Sequence, residues 1–266
     1  PGNHAPRFTK VSPSRSLTWK VGQKIRFVAQ AKDKDQRLRN AAYTWSLSIR
    51  HCPEACHTHP IDQWPGSRRG SFRAPDHEYP SHLLLDVSVT DARGLTVNKT
   101  VRIDPKSVDI TFATKPAGLK LTAGGGTAKG PFTRTFIVGG HLIASAAPTQ
   151  KRRGVTYRFQ RWSDGGKSSH DIVAPQRATT RTATYRAAKA LVRVAASKGL
   201  AVKVDGKRTT RFRDDVKVGS RLTVSAPKKQ KRDGVTWVFV RWSDGGAREH
   251  RITVGAQRVD VRALDG

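Results

Sequence analysis

Apolar and polar positions alternate along most of this chain, and no useful length of it carries an apolar stripe at helical spacing. Tyr43, Trp45, Leu47 and Ile49 are separated by Thr44, Ser46 and Ser48. That period of two marks a strand with one buried face. Trp19, Val21, Ile25, Phe27 and Ala29 follow the same pattern on either side of Gly22. Leu83, Leu85, Val87 and Val89 repeat it before an Asp91-Ala92-Arg93-Gly94 turn and a closing strand over 96–103. Asp33-Lys34-Asp35 reads as a polar turn. Two segments lack the pattern. Residues 1–10 read as a linker, and the stretch from Cys52 to about Ser71 reads as a long loop leaving a β-scaffold. Residues 11–105 are therefore expected to form an antiparallel β-sandwich with alternating strands and turns.

A repeat governs the remainder. The string RWSDGG occurs at 161–166 and again at 241–246. Gly154-Val155-Thr156-Tyr157-Arg158-Phe159 precedes the first copy and Gly234-Val235-Thr236-Trp237-Val238-Phe239 the second. His170 and Ile172 follow one, His250 and Ile252 the other. The unit is about 80 residues long, and the copies are assigned to 106–187 and 188–266. In each, an alternating strand runs into Ser-Asp-Gly-Gly, which predicts a hairpin with Trp162 or Trp242 at its hinge. Each tryptophan has two readings, a plug closing a small core or a platform for a sugar ring. Gly124-Gly125-Gly126 reads as a loose turn, and residues 187–190 as a short linker without proline or glycine. The fold class is all-β, a sandwich followed by two tandem small β-repeat domains.

Charge adds a partner class. The chain of 266 residues holds 50 Lys and Arg against 20 Asp and Glu, a net charge of +30. Every third of it is similarly basic, so the field attracts polyanions without selecting among them, and salt weakens that attraction. The basic tips Lys151-Arg152-Arg153 and Lys228, Lys229, Lys231 and Arg232 are the candidates for gripping nucleic acid or a teichoic-type polymer. The bland alternative is a solvated surface. No run of apolar residues is long enough to span a membrane.

The two cysteines, Cys52 and Cys56, sit among His51, His57 and His59. Such spacing fits a small disulfide loop of an exported protein, or a metal site using the flanking histidines. Downstream, Asp76, His77, Glu78 and Tyr79 lie between Pro75 and Pro80. With His57, His59 and Trp64 they form the candidate ligand site. Aromatic rings there would stack on sugar faces while carboxylates and imidazoles hydrogen-bond hydroxyls. His57, His59, Asp76 and His77 are the candidate ligands for a divalent metal; no other cofactor is expected. The chain carries no nucleophile elbow, Walker loop, HExxH or dinucleotide fingerprint.

Several strings together resemble a known arrangement. The Val21-Gly22 strand, Asp33 and Asp35, Tyr43-x-Trp45 and Val89-Thr90-Asp91-x-x-Gly94 resemble a PKD-like immunoglobulin sandwich. The Trp19-x-Val21-Gly22 opening, the Cys52–His59 loop, GSF-APDHEYPS near 70–81, PFTRT and WSDGG resemble a C-terminal extension of actinobacterial secreted proteins of the PQQ-dependent glucose/sorbosone dehydrogenase type. The resemblance covers about residues 6–187. That family's catalytic β-propeller lies upstream of the extension and has no counterpart in this sequence. The resemblance thus implies export, attachment to an upstream domain and an accessory binding role outside the cell or on its surface, without dehydrogenase activity.

Overall fold

The computed structural model describes residues 2–52 and 55–266; Pro1, Pro53 and Glu54 lie outside the described residues. The described residues form 25 strands and two single 3-10 turns, at Asn40–Ala42 and Ser197–Gly199.

The first unit packs a three-stranded sheet of Arg7–Ser12, Lys24–Lys32 and Arg69–Arg73 against a five-stranded one. The latter runs Thr18–Trp19, Thr96–Pro105, Ser81–Thr90, Tyr43–His51, His57–Pro65. The alternating residues meet between the sheets: Trp19, Phe27, Tyr43, Trp45, Leu47, Leu83 and Leu85 are buried there. Two expectations are corrected. Residues 7–10 are part of a strand rather than a linker, and residues 57–65 and 69–73 form strands rather than a loop. Arg7–Ser12 and His57–Pro65 are edge strands, held mainly by main-chain bonds to one neighbour. Most of their side chains are exposed or half-buried, so no apolar alternation is demanded. Pro60 and Pro65 fit the second one because an edge strand tolerates a missing N–H.

Each repeat has its own four-stranded sheet, and both share one nine-stranded sheet. The strand Thr179–Ala196, 18 residues long, lies at the centre of the shared sheet. Its first part pairs with Ser107–Lys115 and Val155–Trp162, its second with Arg211–Lys217 and Val259–Asp265. It is the last strand of one copy and the first of the next. Residues 187–190 therefore form the middle of a strand, not a linker, and need neither glycine nor proline. Two buried clusters lie under the shared sheet, one around Trp162 and one around Trp242.

RWSDGG does not close a hairpin. Val155–Trp162 pairs within the shared sheet, whereas the following Ser169–Val173 pairs with His141–Ser145 in the other sheet. The second copy does the same. The string is a β-arch that carries the chain across its own core. Trp162 and Trp242 lie beneath the arches at 1% exposure, which selects the plug over the sugar platform. Their indole N–H groups donate to Ser168 O at 3.3 Å and Arg248 O at 3.1 Å. Gly124-Gly125 is also tighter than expected. Both residues have positive φ and join Lys120–Ala123 to Gly126–Lys129 as a two-residue hairpin turn.

The arch is locked by an Asp–His pair. His170 Nε2 lies 3.2 Å from Asp164 Oδ2, and its Nδ1 lies 2.9 Å from Lys167 O. Both oxygens only accept, so each bond forms when the ring nitrogen facing it carries the hydrogen. His250 repeats this with Asp244 and Ala247 O at 2.9 and 2.8 Å. Burial alone would raise the Asp164 carboxyl. The His170 and Gly166 hydrogen bonds, with the charges of His170 and Arg181, outweigh it and hold the group below the usual carboxylate range. Asp244 is lowered against the same burial penalty, by His250 and the Gly246 amide. A lowered folded-state value means the stabilisation is complete above the unfolded pKa of about 3.9 and is lost as pH falls through the folded value. The melting temperature is expected to decline below about pH 4. In a D164N/D244N variant that decline should be shallower across the same titration, monitored by circular dichroism.

Candidate functional site

The sandwich and the first repeat meet along main-chain bonds. Val21 N–H donates to Val138 O at 3.0 Å, and Lys106 N–H to Trp19 O at 2.7 Å. Ile137 of the repeat is buried in the sandwich's core. Asp76 completes the joint, its carboxylate accepting the His141 N–H at 3.0 Å. Gly140 makes room for it: a Cβ there would stand 3.1 Å from Asp76 Oδ1 and 3.0 Å from Ile137 O.

A cleft of about 980 Å³ opens beside this joint. One wall is His51, Asp76, His77, Glu78 and Tyr79 from the sandwich. The other includes Arg134, Phe136, His141 and Ile143 from the repeat. Tyr79 and Ile143 are 44% and 56% exposed. Arg134 is aimed by the glycine turn: it donates to Gly124 O at 3.1 Å, and a Cβ on Gly126 would meet its Nη2 at 2.3 Å. A Cβ on Gly124 would likewise strike the Phe136 ring at 2.7 Å. His141 Nδ1 bonds Asp171 at 2.6 Å; that hydrogen bond, then the Asp171 charge, raises the imidazole above its usual value.

Four histidines gather at the sandwich end: His51 and His77 line the cleft, and His57 and His59 stand beside them. His51 and His57 face each other across the strand pair Tyr43–His51 and His57–Pro65. Cys52 and Cys56, which lie between those strands in the sequence, form a disulfide. Ring centroids are 5.2 Å apart for His51–His57, 4.8 Å for His51–His77 and 4.8 Å for His57–His59. Burial, then the His77 charge, holds His51 below the usual imidazole range, and Glu78 opposes this at 4.0 Å.

The expected ligand set is thus partly assembled. His57, His59, His77 and Glu78 come together, and Asp76 and Tyr79 line the same cleft. Trp64 does not join them. It packs on Phe27 and Phe72 at 4.8 and 6.1 Å between centroids, five strand residues from His59, roughly 16 Å at the usual strand rise. The proposed metal set is also altered. The Asp76 carboxylate is engaged by the His141 amide, and among the described residues no three His, Cys, Asp or Glu side chains converge as a metal-holding group. The histidine rings instead meet largely edge to face.

Sequence reading did not place Arg134, Phe136 and His141 in a site, since they lie on strands of a different unit from the candidate ligand set. His51 had a legible signal, an inward position in the Tyr43–Ile49 alternation. The two basic tips do not converge either. Lys151, Arg152 and Arg153 line a cleft between the repeats, whereas Lys231 and Arg232 line a separate groove with Arg208.

No protein-family model matches the chain, and no curated protein matches it. Among solved structures it is similar to SGBP-B of the Bacteroides ovatus mixed-linkage glucan utilization locus, in complex with a mixed-linkage heptasaccharide. The identity is 10%, over 95% of this chain and 71% of that one, with a TM-score of 0.26. It is also similar to a Ca2+-stabilized adhesin with which an Antarctic bacterium binds ice, at 11% identity over 97% and 75% of the two chains and a TM-score of 0.20. Likeness at these TM-scores carries no argument about function.

Proposed function

We propose that this chain is a non-enzymatic extracellular binding module whose cleft between sandwich and first repeat takes a carbohydrate or cell-envelope polymer. The observation that carries the reading is the make-up of that cleft. An exposed tyrosine ring and Phe136 share it with Glu78, His77, Arg134 and His141. Apolar ring faces beside a few convergent hydrogen-bonding groups are what a sugar requires. Of its two carboxylates, Asp76 helps hold the joint through one oxygen, and Glu78, its side chain 74% exposed, is open to a sugar hydroxyl. The disulfide agrees with an oxidising compartment. The resemblance to extensions of secreted proteins agrees with attachment to an upstream domain.

The test is titration calorimetry of the full chain against a panel of neutral and acidic polysaccharides at low and high salt. One neutral glycan should remain bound at high salt, because stacking and hydroxyl contacts release no counterions. Tyr79→Ala should weaken that binding about fivefold, given about 1 kcal/mol for an aromatic contact. Binding that vanishes with salt, or that ignores both Tyr79→Ala and His77→Ala, would remove this assignment.

A further inference from the structure

The outer face of the shared sheet carries an electrostatic cost that Asp260, facing Arg193, offsets only in part. Arg193, on Thr179–Ala196, stands directly opposite Arg213 on Arg211–Lys217. Like charges directly opposite in an antiparallel pair are destabilising. On the other side Arg193 faces Asp260, whose carboxylate is paired with Arg258. Asp215, the carboxylate beside Arg213, is paired with Lys151. Arg193 Nε is buried and has no hydrogen-bond partner. Burial, then the charges of Arg258 and Arg213, pushes the Arg193 guanidinium below the ordinary arginine value, yet arginine stays charged at working pH.

Arg193, Arg213 and Arg258, with the Lys151–Arg153 tip and the carboxylates of Asp214 and Asp215, line an open cleft of about 1050 Å³ between the repeats. We propose that this cleft binds the sulfate or phosphate-ester groups of an anionic polysaccharide, with Arg193, Arg213 and Arg258 donating to the oxyanion. A tetrahedral oxyanion accepts from several guanidiniums at once, and the planar fork of arginine suits it better than a lysine point charge. The exposed Arg211 and Arg262, both beside Ala195 on the same face, extend the row for a second anionic group. Nucleic acid fits less well. Single strands bind through aromatic platforms, and the cleft's one aromatic residue, Tyr157, is half-buried against the repeat cores. This site is separate from the sandwich–repeat cleft and does not depend on what binds there.

The experiment compares two charge-matched double variants of the full chain, R193Q/R213Q and K228Q/K229Q. Each is titrated with dextran sulfate, uncharged dextran and single-stranded oligothymidylate over a range of salt. R193Q/R213Q should weaken dextran sulfate binding tenfold or more, and the slope of log affinity against log salt should fall by about two contacts. K228Q/K229Q should change the affinity less than about threefold. Thermal melts guard against a folding defect. Without added anion R193Q/R213Q should melt at or above the parent temperature, since a repulsion has been removed. Inorganic phosphate at fixed ionic strength should raise the melting temperature of the parent and not of the variant. Equal losses in the two variants, or an equal phosphate shift in parent and R193Q/R213Q, would overturn the site. Tighter binding of the oligonucleotide than of dextran sulfate, lost in R193Q/R213Q, would overturn the polysaccharide assignment.

Discussion

Replacing Trp162 with alanine is expected to cost about 3–5 kcal/mol, the range for deleting a large buried aromatic side chain. The indole is 1% exposed and stands against Phe159 and the His170 ring. Its removal opens a cavity directly beneath the arch and takes away one of the two N–H groups that donate to Ser168 O, the other being that of Ala146. Whole domains are stable by only about 5–15 kcal/mol, so one such loss is a large fraction of the total. Trp242→Ala should behave alike. Because the strand Thr179–Ala196 serves both copies, Trp162→Ala is expected to lower the melting of both repeats together. Differential scanning calorimetry measures this. Trp162→Phe should cost less, since most of the apolar volume stays and only the N–H contact is lost. A loss below about 1 kcal/mol for Trp162→Ala would contradict the plug role.

The second large effect concerns a single methyl group. Gly166→Ala is expected to destabilise the fold by about 2–4 kcal/mol, within the range of overpacking plus a lost hydrogen bond. A Cβ at Gly166 would sit 2.2 Å from His170 Cδ2, and at Gly246 it would sit 2.4 Å from His250 Cδ2. The imidazole would have to leave, and its bond to Asp164 would go with it. The consequence is a non-additive pair: the double variant Gly166→Ala/His170→Ala should cost scarcely more than His170→Ala alone, because the ring that the methyl strikes is already gone. Urea denaturation of the four proteins in the cycle gives the coupling. Additive losses would mean that the glycine is required for its backbone and not for the ring.

Much of this architecture was legible before any coordinates. Tyr43, Trp45, Leu47 and Ile49 announced a strand and its inward face. The shared RWSDGG, with His170 and His250 at equal offsets, announced two copies of one unit. The Cys52–Cys56 disulfide was one of two readings of the spacing. The edge strand His57–Pro65 was not legible, because most of its residues touch no core and so obey no alternation. Trp64 misled for a related reason. A tryptophan in a polar stretch suggested a ligand platform, but its ring packs on Phe27 and Phe72. The cleft was half legible. Asp76 to Tyr79 stood out as a group of chemically capable residues, while the opposite wall came from strands chosen by another unit's core.

By itself the sequence determined the all-β class, the inward residues of the main strands, the repeat and the strongly basic surface. Each is written in side-chain identity at short range, as alternation, recurrence or charge. Only the tertiary structure decided which strand pairs with which. It turned Ser-Asp-Gly-Gly into an arch between two sheets, ran residues 187–190 through the middle of a shared strand and placed Arg193 opposite Arg213. Strand pairing is made by backbone N–H and C=O groups that every residue but proline carries alike. Partner choice is therefore settled by packing across the whole core and is not spelled out within any one segment.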